Sequence, residues 1–235
     1  MLEGLKESVC RANYDIIKSH LVTLTWGNVS GFDKQEKLIV IKPSGLSYEE
    51  LKPECMVVVD LKGSKVEGDL KPSSDTPTHI ELYKAFDGIG SIVHTHSDYA
   101  SMFAQAGKGI PCLGTTHADH FHGSVPVTRS LKQDEVETDY EKNTGSVIIE
   151  TFEKLDPLAC PAVLVSGHGP FTWGKTPGQA VEASIALEKV AKMAWGTLAL
   201  TSKERALPGH ILKKHYLRKH GPNAYYGQKG GKEDE

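Results

Sequence analysis

The sequence predicts an α/β fold, a single domain in which a central mixed or antiparallel β-sheet is flanked by α-helices. Three observations predict it. Short apolar strand patterns alternate with helical ones, and helices stand at both ends of the chain and between the strands. The chain has 235 residues, 39% of them hydrophobic, enough for a sizeable core in one domain or in two small ones. No GxGxxG or P-loop motif occurs, which disfavours a nucleotide- or dinucleotide-binding fold.

Residues 2–19 read as an amphipathic helix, with Leu2, Leu5, Val9, Ala12 and Ile16 on one stripe. Segment 22–31 (VTLTWGNVSG) alternates as a strand and breaks at Gly27 and Gly31. Segment 37–41 (KLIVI) is a strand running into the turn Pro43-Ser44-Gly45, and 55–60 (CMVVVD) is a buried strand. Thr76 is the predicted N-cap of a helix over 77–86, with Pro77 in its first position and Ile80, Leu82, Tyr83 and Phe86 on its apolar face. Residues 90–96 (GSIVHTH) form a strand and 98–106 a short helix. Helices follow over 134–154, 177–199 and about 203–219, with strands at 162–166 (AVLVS) and 169–174 (GPFTWG). The last residues, GQKGGKEDE, are polar and Gly-rich and read as disordered at their end.

Bulk properties exclude several function classes. The net charge is -3 and the pI about 6.4, against the basic signature of a nucleic-acid binder. No segment reads as a signal peptide or approaches a membrane span. Cys10, Cys55, Cys112 and Cys160 are widely spaced without a CxxC pair and read as reduced thiols of a cytoplasmic protein. Eleven histidines, several of them clustered, are the first informative departure.

His94 and His96 lie two apart on the predicted strand 90–96. Strand side chains alternate, so both imidazoles leave one face, with Cα atoms about 6.6 Å apart. Nitrogens converging from that separation reach one ion at ~2.0–2.1 Å. His168, in SGHGP, stands just past strand 162–166 between two glycines that permit close backbone approach, which makes it the candidate third ligand. Three histidines leave coordination positions open, the catalytic rather than the structural pattern. The plain alternative is a set of ordinary polar strand-end histidines. Asp75, closing the run KPSSD, reads as a carboxylate ligand, as a group orienting one, or as a helix-start residue favoured by the macrodipole.

Three small-residue turns, Gly27-Asn28, Ser44-Gly45 and Ser73-Ser74, offer backbone N–H groups and short donors suited to a phosphate. Ser73-Ser74 also precedes a helix N-terminus, and Lys42 adds a positive charge beside Ser44-Gly45. Each turn alone is explained by turn chemistry; a phosphate site requires them to converge. The segment from Thr115 and Thr116 through His117, Asp119 and His120 gathers titratable groups on a predicted loop, and His215, Arg218, His220, Tyr225 and Tyr226 cluster near the C-terminus. Plain readings there are a solvated basic helix face and docked tyrosines.

Taken together, LVTLTWGNVS, IKPSG, KPSSDTPTH, IVHTHS, GTTHAD, HGPFTWGK and HYLRKHGPNAYYGQ resemble the L-ribulose-5-phosphate 4-epimerases of the class II aldolase/epimerase family. The resemblance runs from Met1 to about Gln228, so residues 1–228 read as one such domain and 229–235 as a tail. It implies a mainly antiparallel sheet and a C4 homotetramer with sites between adjacent subunits. It implies a divalent ion, zinc above all with manganese or cobalt also suited, on His94, His96 and His168, with Asp75 in or beside the coordination sphere. It assigns phosphate and substrate contacts to Gly27, Asn28, Lys42, Ser44, Gly45, Ser73 and Ser74, and makes Asp119 and Tyr226 the proton-transfer pair, with Tyr226 supplied by the neighbouring subunit. Thr116, His215 and Arg218 match further active-site positions.

The implied reaction inverts C4 of L-ribulose 5-phosphate, giving D-xylulose 5-phosphate, in arabinose or ascorbate breakdown. The C3–C4 bond breaks to an enediolate and glycolaldehyde phosphate, the aldehyde turns, and the bond re-forms on its other face. One departure from the family pattern is His120, where a tyrosine often follows the aspartate. Two rivals stand beside this reading. An L-fuculose-1-phosphate type aldolase resembles it but places a glutamate base at the position of Asp75. A non-catalytic adducin-like interaction domain lacks the full ligand set.

Overall fold

The computed structural model describes residues 2–201 and 205–226. The tail expected to be disordered (229–235) and part of the predicted helix 203–219 lie outside the described residues. Among the described residues seven strands form one sheet: β1 (Asn28–Asp33), β2 (Leu38–Ile41), β3 (Val57–Asp60), β4 (Lys65–Glu67), β5 (Ser91–His94), β6 (Ala162–Leu164) and β7 (Pro170–Gly174), in the order β4-β3-β2-β1-β5-β7-β6. Every ladder between them is antiparallel.

Strand alternation sorts the core into two layers. Ile39 and Ile41 of β2, Val57 and Val59 of β3, Ile92 of β5 and Trp173 of β7 pack with Ile80, Leu82 and Phe86 around α2 (Thr76–Ala85) and with Ile148 of α5 (Gln133–Thr151). The intervening Val40, Val58 and Val93 join Val9, Ala12 and Ile16 of α1 (Glu3–Lys18) and Ala180 and Val181 of α6 (Pro177–Leu200) on the other side. Each large aliphatic buried in this way contributes about 1.5–3 kcal/mol. A third cluster joins α6 to α3 (Asp98–Gln105). Asn13 ties α1 to the sheet, because its Oδ1 accepts the Val29 N–H at 3.1 Å while its Nδ2 donates to the Val9 carbonyl at 2.8 Å. Among the described residues, no helix is long and apolar enough to cross a membrane.

Several boundaries differ from the sequence reading. The strand expected over 22–31 begins only at Asn28, because Leu24 (φ 54) and Gly27 (φ 78) turn the chain through left-handed backbone. Gly31 does not break it; a Cβ there would come within 2.7 Å of Leu5 and 2.8 Å of Val9, so the bare position admits α1 against the sheet. The N-cap of α2 is Asp75 rather than Thr76, and Thr76 Oγ1 donates to the Ser73 carbonyl instead. The expected loop at 115–120 contains a short helix, α4 (Thr115–Ala118). The last helix, α7 (Gly209–His220), buries none of its residues.

Candidate metal centre and substrate cavity

His94 ends β5 in the middle of the sheet, paired with Asn28 on one side and Phe171 on the other. Its ring stacks on Phe171 at 4.2 Å, and its Nδ1 donates to the Pro170 carbonyl at 2.9 Å. That tautomer turns an Nε2 lone pair outward, 3.1 Å from Nε2 of His96. His96 lies past the end of β5, not on the strand as expected, yet its ring still converges with that of His94. His168 enters from the turn between β6 and β7, after Gly167 (φ 73). A Cβ on Gly169 would stand 2.8 Å from the Thr95 carbonyl, so only a bare residue lets this turn close on the end of β5. One ring nitrogen of each histidine lies within 4.8 Å of the others.

The electrostatics keep His96 and His168 available as ligands. Burial, reinforced by His94 and His96 and opposed by Asp75, pushes His168 down to about 4. Burial and His94 also lower His96. Neutral imidazoles offer lone pairs, and three converging on one point fit a divalent ion with open coordination positions.

Asp75 occupies the N-cap position but makes no capping bond. Its Oδ2 instead accepts from Asn28 Nδ2 at 2.6 Å. Burial opposes its ionisation, but His94, His79, that Asn28 bond and His168 together hold its carboxyl below the ordinary range. Asp75 is therefore an anion beside the histidines, outside the three-residue cluster itself. Asn28 Oδ1 is buried without a hydrogen-bond partner among the described residues, an acceptor free for a ligand hydroxyl.

The cluster opens into a cavity of about 600 Å³ whose wall includes Gly27, Asn28, Lys42, Ser44, Gly45, Ser73, Ser74 and Asp75. The structure thus brings the three small-residue turns together. Two of the expected backbone donors are already in use, since Ser44 N–H donates to the Lys71 carbonyl and Ser73 N–H to the Lys42 carbonyl, each at 3.0 Å. These bonds stitch one turn to the other. Lys42 is 2% exposed, lies over the Tyr48 ring, and is pushed down to about 8 by burial. Among the described residues no carboxylate pairs with this buried ammonium, which an arriving anion would stabilise.

Asp119 and Tyr226 are elsewhere. Asp119 follows α4 and is bound from α7: Arg218 Nε and Nη2 donate to its two oxygens at 3.0 and 2.7 Å, and His215 Nδ1 lies 3.1 Å from Oδ1. Burial raises the Asp119 pKa, but Arg218 and His215 outweigh it and hold the carboxyl below its usual range. The Tyr226 ring covers the same guanidinium at 4.4 Å and is 55% exposed, not docked. None of Asp119, Tyr226, His215, Arg218 or the exposed Thr116 lines the cavity of its own chain. His120 sits beside Lys219, also outside it.

Sequence reasoning missed Thr25, Trp26, Tyr140 and Glu141 in the cavity wall. Thr25 and Trp26 fall in the stretch read as strand. Tyr140 and Glu141 reach the cavity because α5 is interrupted at Asp139 (φ -154, ψ 74), a break that a charged helical pattern does not announce.

Comparison with known proteins follows the same lines. The profile of the class II aldolase and adducin N-terminal domain matches residues 7–195. Among solved structures, an L-fuculose 1-phosphate aldolase superposes with TM-score 0.76 at 24% identity, covering 90% of this chain and 94% of its own. YgbL from Klebsiella pneumoniae, a candidate aldolase/epimerase/decarboxylase, gives 0.72 at 24% identity over 91% and 99%. L-fuculose 1-phosphate aldolase from Glaciozyma antarctica PI12 gives 0.73 at 19% identity over 91% and 80%. At these identities the superpositions establish a shared fold.

Proposed function

The chain belongs to the class II aldolase and adducin N-terminal domain family, and from that premise we propose that it is a divalent-metal enzyme inverting C4 of L-ribulose 5-phosphate to give D-xylulose 5-phosphate. His94, His96 and His168 would hold the ion, with Asp75 beside them. When bound, it supplies Lewis-acid stabilisation to the ketone and neighbouring hydroxyl oxygens of the substrate, worth several kcal/mol as charge develops there. Lys42 with the turns at Ser44-Gly45 and Ser73-Ser74 would grip the phosphate and retain the two-carbon fragment while its aldehyde end turns.

The observation that carries the epimerase reading is the assembly of Asp119 and Tyr226 on one guanidinium, that of Arg218. Inversion through C3–C4 cleavage takes a proton from the C4 oxygen on one face and returns one on the other, so two proton carriers are needed. An ionised carboxylate against the nitrogens of that guanidinium and a phenol over its face supply two separate groups for these transfers. Both are remote from their own chain's histidine cavity, so in this reading a neighbouring subunit delivers them together, as in a cyclic homotetramer.

The test is direct. Purified protein supplied with zinc, manganese or cobalt converts L-ribulose 5-phosphate to D-xylulose 5-phosphate. Release of dihydroxyacetone phosphate from a ketose 1-phosphate, with no interconversion of the pentulose phosphates, would replace this reading with the aldolase one.

A further inference from the structure

Of the three clustered histidines, His94 has its outer nitrogen fixed by the Pro170 carbonyl. His168 has no such backbone acceptor among the described residues, and it sits in a turn whose Gly167 has left-handed backbone. The polar group that reaches its Nδ1 is the Tyr140 hydroxyl, at 3.5 Å, with the two rings tilted at 6.2 Å. Metal-binding histidines nearly always donate their second ring N–H to an acceptor, which fixes both tautomer and ring plane.

Tyr140 is brought there by a built feature. The interruption of α5 at Asp139 swings Tyr140 and Glu141 toward the cavity. Two side-chain hydroxyls hold the segment after the break: Thr78 Oγ1 of α2 donates to the Glu141 carbonyl, and Thr144 Oγ1 donates to the Tyr140 carbonyl at 2.9 Å. Gly145 lets α5 lie this close, since a Cβ there would stand 2.8 Å from Glu81 Cβ.

We infer that Tyr140 is the positioning residue of His168: its hydroxyl accepts the Nδ1 proton, leaving the Nε2 lone pair directed at the ion. The inference rests on the metal reading of the histidine cluster but not on the sugar or the reaction. Tyr140→Phe keeps the ring and its packing and removes only the acceptor.

The experiment is zinc affinity by chelator competition, together with the visible spectrum of the cobalt-loaded protein, for wild type and Tyr140→Phe. The expected result is affinity weakened by about 10–100-fold, the range typical for loss of such a partner, with an altered cobalt spectrum and an unchanged melting temperature of the metal-free protein. Thr78→Val, which frees the segment but keeps the phenol, should weaken binding in the same direction by a smaller factor. Zinc affinity within twofold of wild type in Tyr140→Phe, with an unchanged cobalt spectrum, would overturn the inference and leave the epimerase reading standing. A wild type that binds no metal would end both. Weakened binding in a protein inactive on L-ribulose 5-phosphate would support Tyr140 and remove the epimerase reading alone.

Discussion

His117 couples the stability of the fold to pH. It lies on α4, two residues before Asp119, and is 4% exposed. Its Nε2 donates to the Gly123 carbonyl at 2.7 Å, which anchors the helix that presents the carboxylate. Burial pushes it down to about 4. An unfolded histidine titrates near ~6.5. Above that pH neither state binds the proton and the residue is silent. Between 6.5 and 4 the unfolded chain takes up a proton that the folded chain refuses, so stability falls as pH falls; below 4 the loss levels off. At pH 5 the gap from 6.5 amounts to about 2 kcal/mol. His117→Gln keeps an N–H donor for Gly123 and removes the titration. Urea unfolding of the metal-free protein at pH 7 and pH 5, at one protein concentration, should show the variant losing about 2 kcal/mol less than wild type over that interval. Parallel losses in the two proteins would refute the reasoning. His79, wholly buried and pushed down to about 3, adds a loss of the same sign.

Other perturbations probe the site itself. Tyr226→Phe should cut turnover by about 10²–10⁴-fold, as for a general acid–base group, while zinc stoichiometry stays unchanged; near-normal turnover would remove Tyr226 from the proton pair. Mixing and reassembling His96→Ala with Tyr226→Phe, each strongly impaired alone, should raise activity well above either parent if the cavity of one chain is completed by α7 and Tyr226 of another; no gain in verified mixed oligomers would place all groups on one chain. Gly27→Ala should lower both the melting temperature and the zinc affinity, because a Cβ at this left-handed position would stand 2.8 Å from the His94 carbonyl. Wild-type values for both would mean that the β1 entry adjusts without disturbing the site.

Much of this architecture is legible in the sequence, because strand alternation and helical periodicity report burial directly. KLIVI and CMVVVD become β2 and β3, and the stripe on residues 2–19 becomes α1. What escaped depends on long-range contact. Gly31 reads as a breaker when seen alone, and only the approach of Leu5 and Val9 explains a bare residue inside β1. The strand β4 is three residues long with two of them charged, too short and too exposed for its alternation to register. In the site, HxH spacing flagged His94 and His96, whereas His168 was one histidine among many until the surrounding motifs singled it out. The joining of Asp119 and Tyr226 through Arg218 spans about a hundred residues, and no local pattern encodes it.

The most direct test of the account is an anomalous-scattering map of crystals grown with zinc and a phosphorylated pentulose analogue. One strong peak is expected between His94, His96 and His168, with the analogue's phosphate against Lys42 and the Ser44-Gly45 and Ser73-Ser74 turns, and Tyr226 from a second copy of the chain over the sugar. A peak away from the three histidines, or an analogue bound outside this cavity, would contradict it.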